Sequence, residues 1–294
     1  MTAFDHSSLK KWFLEQKRDF PWRISPKPYS VWVSEVMLQQ TQASVVVPYF
    51  ERWMELFPTI NHLAKAELDQ VIKAWEGLGY YSRARCLHAG ARYISEQFGG
   101  TLPDSKEELQ KIKGLGDYTI GAIRSFAFHH RTAAVDGNVL RVIARYFAIQ
   151  DDISKQKTVK SMQQLVESLL PEKESWIINE GLIELGATIC GRKPKCQACP
   201  LRNNCAAYRE GITDQLPVKT AKTIIQRLFR SVAVISHGNA LLVSKGEKGK
   251  IMSDLYEFPY FETTQDGHTE KEFSAMLEGK LGIKIQLKQN LPEV

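Results

Sequence analysis

Residues 109–127 read LQKIKGLGDYTIGAIRSFA, and their pattern is the strongest indication of the fold class. An apolar helix end is followed by Gly114, Leu115 and Gly116, and then by a second helical run. Two glycines allow positive φ and a close backbone approach, so the amides that begin the second helix can point at an anion. The pattern predicts a helix-hairpin-helix that binds DNA phosphates independently of the base sequence. A plain tight connection between two helices is the alternative.

The chain around this hairpin reads as one helix after another. Apolar residues recur at helical spacing from Ser7 to about Ala207, with Pro and Gly residues between the runs. We therefore predict an all-α domain over residues 1–207, followed by a polar linker over residues 208–227.

In the remaining residues, 228–294, the apolar residues follow the pattern of short β-strands. Two β-branched runs flank His237, Gly238 and Asn239, which is typical of a hairpin. A helix is expected over Glu272–Leu281 and a last strand over Ile283–Leu287. This part is predicted to be a small α+β module, either truncated or unusually short.

Composition excludes several classes of protein. With 43% hydrophobic and 24% charged residues in 294, the chain is neither collagen-like, nor disordered, nor a disulfide scaffold. Basic residues exceed acidic ones by 39 − 33 = 6, which weakly favours a polyanionic partner. No apolar run approaches the roughly 18 residues of a membrane span, and the N-terminus lacks the apolar stretch of a signal peptide. We expect a cytoplasmic protein with no membrane partner.

Four of the five cysteines lie within sixteen residues, with the spacing C-x5-C-x2-C-x5-C. In a reducing cytosol such a group indicates a metal site rather than disulfides. Zinc usually joins two C-x2-C pairs and only one is present, so a [4Fe-4S] cluster is favoured and zinc is the alternative. The four are Cys190, Cys196, Cys199 and Cys205. The basic residues between them either contact phosphates or form a solvated loop.

A second stretch, residues 28–42, reads PYSVWVSEVMLQQTQ and is predicted to be a helix with Ser30 as its N-cap. Glu35 lies on it among Val31, Trp32 and Leu38. A carboxyl on an apolar face is expensive to ionise, so its pKa is expected to rise until it can deliver a proton near neutrality. A surface glutamate is the alternative. Four uncharged residues that can form hydrogen bonds end this helix, and such residues are suited to contact DNA bases. They are Gln39, Gln40, Thr41 and Gln42.

Asp136 stands just before an apolar helix in the stretch AVDGNVLRV, residues 134–142. In isolation this is the position of a helix N-cap. Its sequence alone assigns it no other role.

Taken together, WVSEVMLQQTQ, GLGYYSRAR, KGLGDYTIGAI, AVDGNVLRV and the four cysteines closely resemble the MutY family of adenine DNA glycosylases, within the endonuclease III helix-hairpin-helix superfamily. The resemblance runs over residues 5–207. The C-terminal module resembles the start of that family's MutT-like (Nudix-fold) domain, with LLVSKGEKGKIMSDLYEFPYFE matching its early strands and loop. It carries no Nudix box, so pyrophosphohydrolase activity is not implied.

The resemblance implies removal of adenine opposite 8-oxoguanine or guanine in double-stranded DNA. Glu35 stands at the family's catalytic acid and Asp136 at the aspartate that stabilises the sugar cation. Tyr118 and Asn138 match residues that hold the site. The adenine pocket corresponds to Trp22, Arg23, Leu38 and Glu180, and the residues that wedge into the base stack correspond to Gln40 and Tyr80. Gln39, Thr41 and the hairpin residues 114–116 are the other predicted DNA contacts.

The chemistry requires one protonated and one ionised carboxyl group. We expect the pKa of Glu35 to be raised by its apolar setting and that of Asp136 to be lowered at a helix N-terminus. Bifunctional relatives have a lysine where this chain has Tyr118, so we predict a monofunctional hydrolase. The alternatives are an endonuclease III-like glycosylase with AP lyase activity, and a catalytically inactive iron-sulfur DNA-binding protein.

Two departures from the family pattern stand out. Five residues separate the first two cluster cysteines where the family usually has six. The sequence stops at Val294, before the family's segment that reads 8-oxoguanine. We therefore expect reduced affinity for the lesion pair with adenine excision retained. We also expect a monomer, associated with the nucleoid in a bacterium.

Overall fold

The computed structural model describes residues 4–220, 227–246 and 255–291. It separates into two compact units, Met1–Lys222 and Thr223–Val294. The first is helical and the second contains short strands and one helix, so the predicted mainly α fold with a small α+β region is confirmed.

Short turns join the helices of the first unit. In chain order the helices are α1 His6–Gln16, α2 Pro21–Ile24, α3 Pro28–Leu38, α4 Ala43–Leu56, α5 Ile60–Lys65, α6 Leu68–Trp75, α7 Ser82–Phe98, α8 Lys106–Leu109, α9 Asp117–Ala122, α10 Gly137–Tyr146, α11 Gln156–Leu169, α12 Ser175–Thr188 and α13 Ala206–Arg209. A π-helical turn, Ile123–Ala127, continues α9. Short 3-10 turns lie at Cys196–Ala198, Arg202–Asn204 and Thr213–Gln215.

Helix α3 is the central helix of this unit. Every residue from Tyr29 to Met37 is buried, so the helix is surrounded on nearly all sides. It begins at Pro28, whose fixed φ and missing N–H suit the first helical position. The predicted N-cap Ser30 is wrong, because its hydroxyl lies inside the first turn and donates to Lys27 O at 2.8 Å.

One half of the helical core is aromatic. Trp53 and Trp75 meet edge to face at 5.4 Å between centroids, in a core that α3 to α9 enclose. Trp53 Nε1 donates to the Tyr29 hydroxyl at 3.2 Å, and that hydroxyl donates to Phe57 O at 2.8 Å. The polar atoms of these buried rings are therefore satisfied, as burial of Trp and Tyr requires.

The other half is aliphatic and involves α1 and α10 to α13. It is built on side chains such as Leu9, Val139, Ile143, Val166 and Leu182. Leu201 and three of the clustered cysteines also pack against it. The cysteine loop is therefore anchored on the apolar face of α10 and α12.

The segment predicted as a linker differs from expectation over residues 208–220, which belong to the first unit. Arg145 Nε donates to the carbonyls of Thr213 and Leu216, both at 2.9 Å. Ile153 N donates to Val218 O at 3.0 Å. The polar composition suggested a solvated chain, but its carbonyls are bound by the folded unit. Residues 221–226 of the predicted linker lie outside the described residues.

The predicted helix-hairpin-helix is present as α8, a turn and α9. Gly114 has φ of +91°, and a Cβ placed on it would lie 2.6 Å from Cys86 Cβ on α7. Only glycine fits this position, because both the backbone and the contact forbid a side chain. Gly116, in contrast, has φ of −90° and open space around it.

The second unit pairs its strands in three antiparallel ladders. The strands are β1 Phe229–Val232, β2 Ser236–His237, β3 Ala240–Leu241, β4 Ser244–Lys245, β5 Tyr256–Glu257 and β6 Tyr260–Thr263, paired β1 with β6, β2 with β3 and β4 with β5. The predicted β2–β3 hairpin is confirmed. Helix α14, Glu270–Leu281, confirms the helix predicted over Glu272–Leu281 but starts two residues earlier, with a capping box of Thr269 and Glu272.

Two details of the second unit differ from the sequence analysis or lie beyond the structure. The strand expected over residues 283–287 is wrong, since that stretch has no regular structure. Residues 247–254, part of the MutT-like stretch, lie outside the described residues. Among the described residues, every helix falls short of the length or the apolar character that a membrane span requires.

We expect Gly114→Ala to destabilise the first unit by about 2–4 kcal/mol, because it combines left-handed backbone strain with overpacking against Cys86. Gly116→Ala is the matched control and should cost no more than about 1 kcal/mol, the usual effect of a weaker N-cap. Denaturant unfolding of both variants measures the difference. Equal losses would contradict the assignment of Gly114 as the constrained glycine.

Candidate active site

Glu35 lies in the middle of α3 and is 6% exposed. Loss of water raises the pKa of its carboxyl to about 7, although a hydrogen bond from Tyr118 opposes the shift. The negative charge of Asp136 raises the pKa further. The prediction of a raised pKa is confirmed, and the surface alternative is excluded. Near neutrality this side chain can therefore hold or release a proton.

Tyr118 is the second residue of α9, directly after the hairpin. Its hydroxyl donates to Glu35 Oε2 at 2.7 Å. Burial and the neighbouring carboxylates raise the pKa of this phenol well above its usual value. Tyr118 therefore stays neutral and acts as a hydrogen-bond donor that fixes the orientation of Glu35.

Asp136 is the N-cap of α10. Its Oδ1 accepts from Val139 N at 2.8 Å, and its Oδ2 accepts from Asn138 Nδ2 at 2.6 Å. Arg141 extends this arrangement, because its Nη2 donates to Asn138 Oδ1 at 2.8 Å and its Nε to Cys190 O at 2.7 Å. The capping role and a site role thus fall on the same carboxylate.

The expected lowering of the Asp136 pKa is wrong. Burial raises it, and this effect outweighs the hydrogen bonds from Val139 and Asn138. The N-cap argument considered only the donors and omitted the loss of water. The two acids still differ in their surroundings: backbone and side-chain donors stabilise the ionised form of Asp136, whereas a single phenol faces Glu35.

Two arginines and two glutamates form a charged wall beside these acids. Arg23 Nε lies 3.1 Å from Glu180 Oε1, and Arg23 Nη2 lies 3.0 Å from Glu184 Oε2. Arg18 Nε lies 2.5 Å from Glu184 Oε1. Burial acts to raise the pKa of Glu184, but the two arginines outweigh it and lower the pKa. Glu184 is therefore a buried anion that holds both guanidinium groups.

These groups line one cavity of about 1150 Å³ between the two halves of the helical unit. It brings together the predicted acids and supporting residues, the predicted adenine pocket and part of the predicted DNA edge: Glu35, Asp136, Tyr118, Asn138, Trp22, Arg23, Leu38, Glu180, Gln39, Gln40 and Thr41. A purine base needs only a fraction of this volume. The hairpin residues 114–116 and Tyr80 do not line it.

The cysteine loop forms a separate and much smaller cavity of about 20 Å³. All four predicted ligands, Cys190, Cys196, Cys199 and Cys205, line it together. Burial raises the pKa of the Cys199 thiol to about 12 and also raises the pKa values of Cys196 and Cys205. Four thiols that share one apolar cavity fit a group that takes four thiolates. Within the described ranges, no three His, Cys, Asp or Glu side chains are arranged to hold a single metal ion.

Comparison with known proteins places this geometry in a family. Residues 33–168 match the model of the HhH-GPD superfamily of base excision DNA repair proteins. The adenine DNA glycosylase of Buchnera aphidicola subsp. Acyrthosiphon pisum is 34% identical over 90% of this chain and 77% of its own length. This chain belongs to the adenine DNA glycosylase family. The human adenine DNA glycosylase is 42% identical over 74% of this chain. The matched region covers 41% of the human protein.

Solved structures share the fold of this adenine DNA glycosylase family member. A thermostable thymine-DNA glycosylase superposes with a TM-score of 0.63 and 29% identity, covering 69% of this chain and 94% of its own. A trapped endonuclease III–DNA covalent intermediate superposes with a TM-score of 0.59 over 69% of this chain and 93% of its own. At 24% identity this second likeness concerns the fold alone.

Sequence reasoning missed two residues of this site and one residue beside it. Arg18 and Glu184 complete the charged wall, and Arg83 supports the end of α3. The signal for Glu184 was available, since it lies one helical turn after Glu180 on an otherwise apolar helix. The roles of the predicted residues in binding and catalysis stay predictions.

The raised pKa of Glu35 has a consequence for stability. Because the folded pKa of about 7 exceeds the unfolded value of 4.5, the folded state gains stability from the protonated acid at low pH and loses it as pH rises to about 7. Glu35→Gln removes this loss. We expect the variant to gain about 3 kcal/mol relative to the wild type between pH 4 and pH 8.5. Denaturant unfolding at both pH values measures it, and a pH-independent difference would contradict the shift.

Proposed function

We propose that this base-excision-repair glycosylase hydrolyses the N-glycosidic bond of adenine paired with 8-oxoguanine or guanine in double-stranded DNA. The observation that carries the proposal is one cavity in which Glu35, with a pKa of about 7, faces the charge of Asp136. DNA is the partner, as the family assignment implies.

The reaction starts with extrusion of adenine from the helix. A stacked base cannot present its glycosidic bond to a side chain, so it must be unpaired and the gap filled, at a cost of a few kcal/mol. Gln40 and Tyr80 are exposed and suited to fill that gap. The cavity then accepts the base beside Trp22, with the Arg23–Glu180 pair as a source of polar contacts.

Bond cleavage follows from the two carboxyl groups. Glu35 transfers its proton to a ring nitrogen of adenine, and the electron pair of the glycosidic bond leaves with the base. The Asp136 carboxylate stabilises the positive charge that develops on the sugar. Water then adds to the sugar carbon and returns one proton to the Glu35 carboxylate. The products are free adenine and an abasic site.

The chain has no lysine at position 118, where Tyr118 instead donates to Glu35. A phenol cannot form the Schiff base of a lyase, which supports the monofunctional assignment. The inactive-protein alternative is disfavoured because both acids and their hydrogen-bond partners lie in the same cavity.

For the cysteine loop we propose a [4Fe-4S] cluster held by Cys190, Cys196, Cys199 and Cys205. When bound, the cluster takes up four thiolates and crosslinks the loop. The shared apolar cavity and the thiol pKa values raised by burial support this, since bound iron removes the cost of burying the charged sulfurs. Zinc is disfavoured because structural zinc usually joins two C-x2-C pairs, and this loop contains one, Cys196 and Cys199.

Other contacts complete the proposal. The hairpin at residues 114–116 and the basic side chains of the cysteine loop are suited to bind phosphates around the extruded nucleotide. We propose that the protein works as a monomer in the cytoplasm, on the nucleoid if the cell is bacterial.

We expect Glu35→Gln to bind a duplex with one adenine opposite 8-oxoguanine and to excise essentially none of it in single-turnover assays, because the amide has no acidic proton. Wild-type excision should fall about tenfold per pH unit above a midpoint near 7, as Glu35 ionises. Glu55→Gln, an exposed carboxyl on α4, is the matched control and should behave as wild type.

An unchanged excision rate in Glu35→Gln would overturn the assignment of the acid. A high yield of borohydride-trapped protein–DNA adduct would instead establish the lyase alternative. If the wild type excises adenine opposite thymine as fast as adenine opposite 8-oxoguanine, the proposed pairing preference is wrong.

We expect the purified protein to contain iron and inorganic sulfide in equal amounts, with broad visible absorbance. Cys199→Ser should lose most of both and melt at a lower temperature, because one cluster ligand is removed. Cys86→Ser, which changes a cysteine outside the loop, is the control and should retain the cluster. Stoichiometric zinc without iron would contradict the proposal.

A further inference from the structure

Gln40 and Tyr80 are two of the five described non-glycine residues with a left-handed backbone conformation. Gln40, just after α3, has φ of +57°, and Tyr80, just before α7, has φ of +48°. Left-handed backbone is rare for residues other than glycine and costs about 1 kcal/mol or more unless the surroundings impose it. Tyr80 is also 59% exposed. Something in the fold therefore holds both residues in strained positions at the surface.

Arg83 binds the segment that ends in Gln40. It is only 7% exposed, and its Nη1 points at the last carbonyls of α3. These groups have no partner within a helix, so an outside donor must satisfy them. Arg83 Nη1 lies 3.1 Å from Val36 O, 2.8 Å from Met37 O and 2.6 Å from Gln39 O.

The same guanidinium binds the segment that ends in Tyr80. Arg83 Nη2 donates to Leu78 O and Gly79 O, both at 3.1 Å. The group also lies over the ring of Trp75 at 5.2 Å and beside the ring of Tyr80 at 5.5 Å. Trp75 Nε1 gives Gly79 O a second hydrogen bond at 3.0 Å.

We propose that Arg83 is a positioning residue that sets the distance between Gln40 and Tyr80, so that both enter the base stack together when adenine is extruded. The inference rests on the proposed function. Arg83 does not line the cavity that holds Glu35 and Asp136, so it acts through the two surface residues and not on the reacting atoms.

The geometry requires arginine in particular. A planar guanidinium presents donors on two nitrogens in fixed directions, and here one nitrogen serves each segment. A lysine ammonium is a single point of charge and cannot span both sets of carbonyls. With a lysine at this position, the buried carbonyls of one of the two segments are left without a hydrogen-bond donor. Arg83→Lys therefore keeps the charge and removes the link.

The test compares two duplexes in single-turnover excision at saturating protein. In one, the target adenine faces 8-oxoguanine. In the other it faces an abasic-site analogue, where it is unpaired and extrusion is cheap. A duplex with 2-aminopurine at the target position reports extrusion by its fluorescence. Arg92→Lys, on an exposed position of the same helix, is the matched control.

We expect Arg83→Lys to excise paired adenine roughly 10- to 100-fold more slowly than wild type and to show a smaller fluorescence rise. On unpaired adenine the loss should shrink to about threefold or less, and the pH midpoint near 7 should stay in place. Adding Arg83→Lys to a Gln40→Ala and Tyr80→Ala variant should cause little further loss, because the residues it positions are gone.

Gly79→Ala is a second variant in case Arg83→Lys folds poorly. It disturbs a φ of +70° next to Tyr80, with no atom within 4 Å of the added Cβ, and should give the same pattern. Equal losses on both duplexes, or no loss on either, would overturn the inference for Arg83. Absence of excision by the wild type would instead overturn the proposed function, so the two failures are distinguishable.

Discussion

The burial of one carboxyl group inside α3 is the constraint on which the site depends. Glu35 lies in a helix whose residues from Tyr29 to Met37 are all buried, so its ionised form has almost no water to solvate it. The fold tolerates this because the acid keeps its proton up to about pH 7 and accepts a hydrogen bond from Tyr118. The helix-hairpin-helix places Tyr118 for that bond, since the turn at Gly114 leads directly into α9.

The anionic side of the site depends on a different kind of support. Asp136 is held by Asn138, Asn138 by Arg141, and Arg141 by the carbonyl of Cys190. Gly186 makes this packing possible, because a Cβ there would lie 2.5 Å from Asn138 Cβ. The position of the carboxylate is thus linked through hydrogen bonds to the folding of the cysteine loop. Arg145 strengthens the link, with its Nη1 donating to Gly191 O at 2.6 Å.

Much of this arrangement could be predicted from the sequence, because local patterns carried it. The hairpin glycines, the acid among apolar residues and the four-cysteine spacing are each readable within about 20 residues. The predictions that were wrong depended on contacts between residues distant in the sequence. The direction of the Asp136 pKa shift depends on how much water the neighbouring helices exclude. The residues after Tyr208 have the composition of a linker, but Arg145 binds their carbonyls. Arg83 gave no local signal for its bonds to Val36 and Met37, which lie 47 and 46 residues earlier in the chain.

The Tyr118 hydroxyl, which donates a hydrogen bond to Glu35, is too weakly acidic to supply a proton to the Glu35 carboxylate. In the proposed reaction, Glu35 therefore gives its proton to the departing base and regains one from the incoming water. In that scheme the acid is restored at the end of each cycle, with no net proton taken from the buffer or released to it.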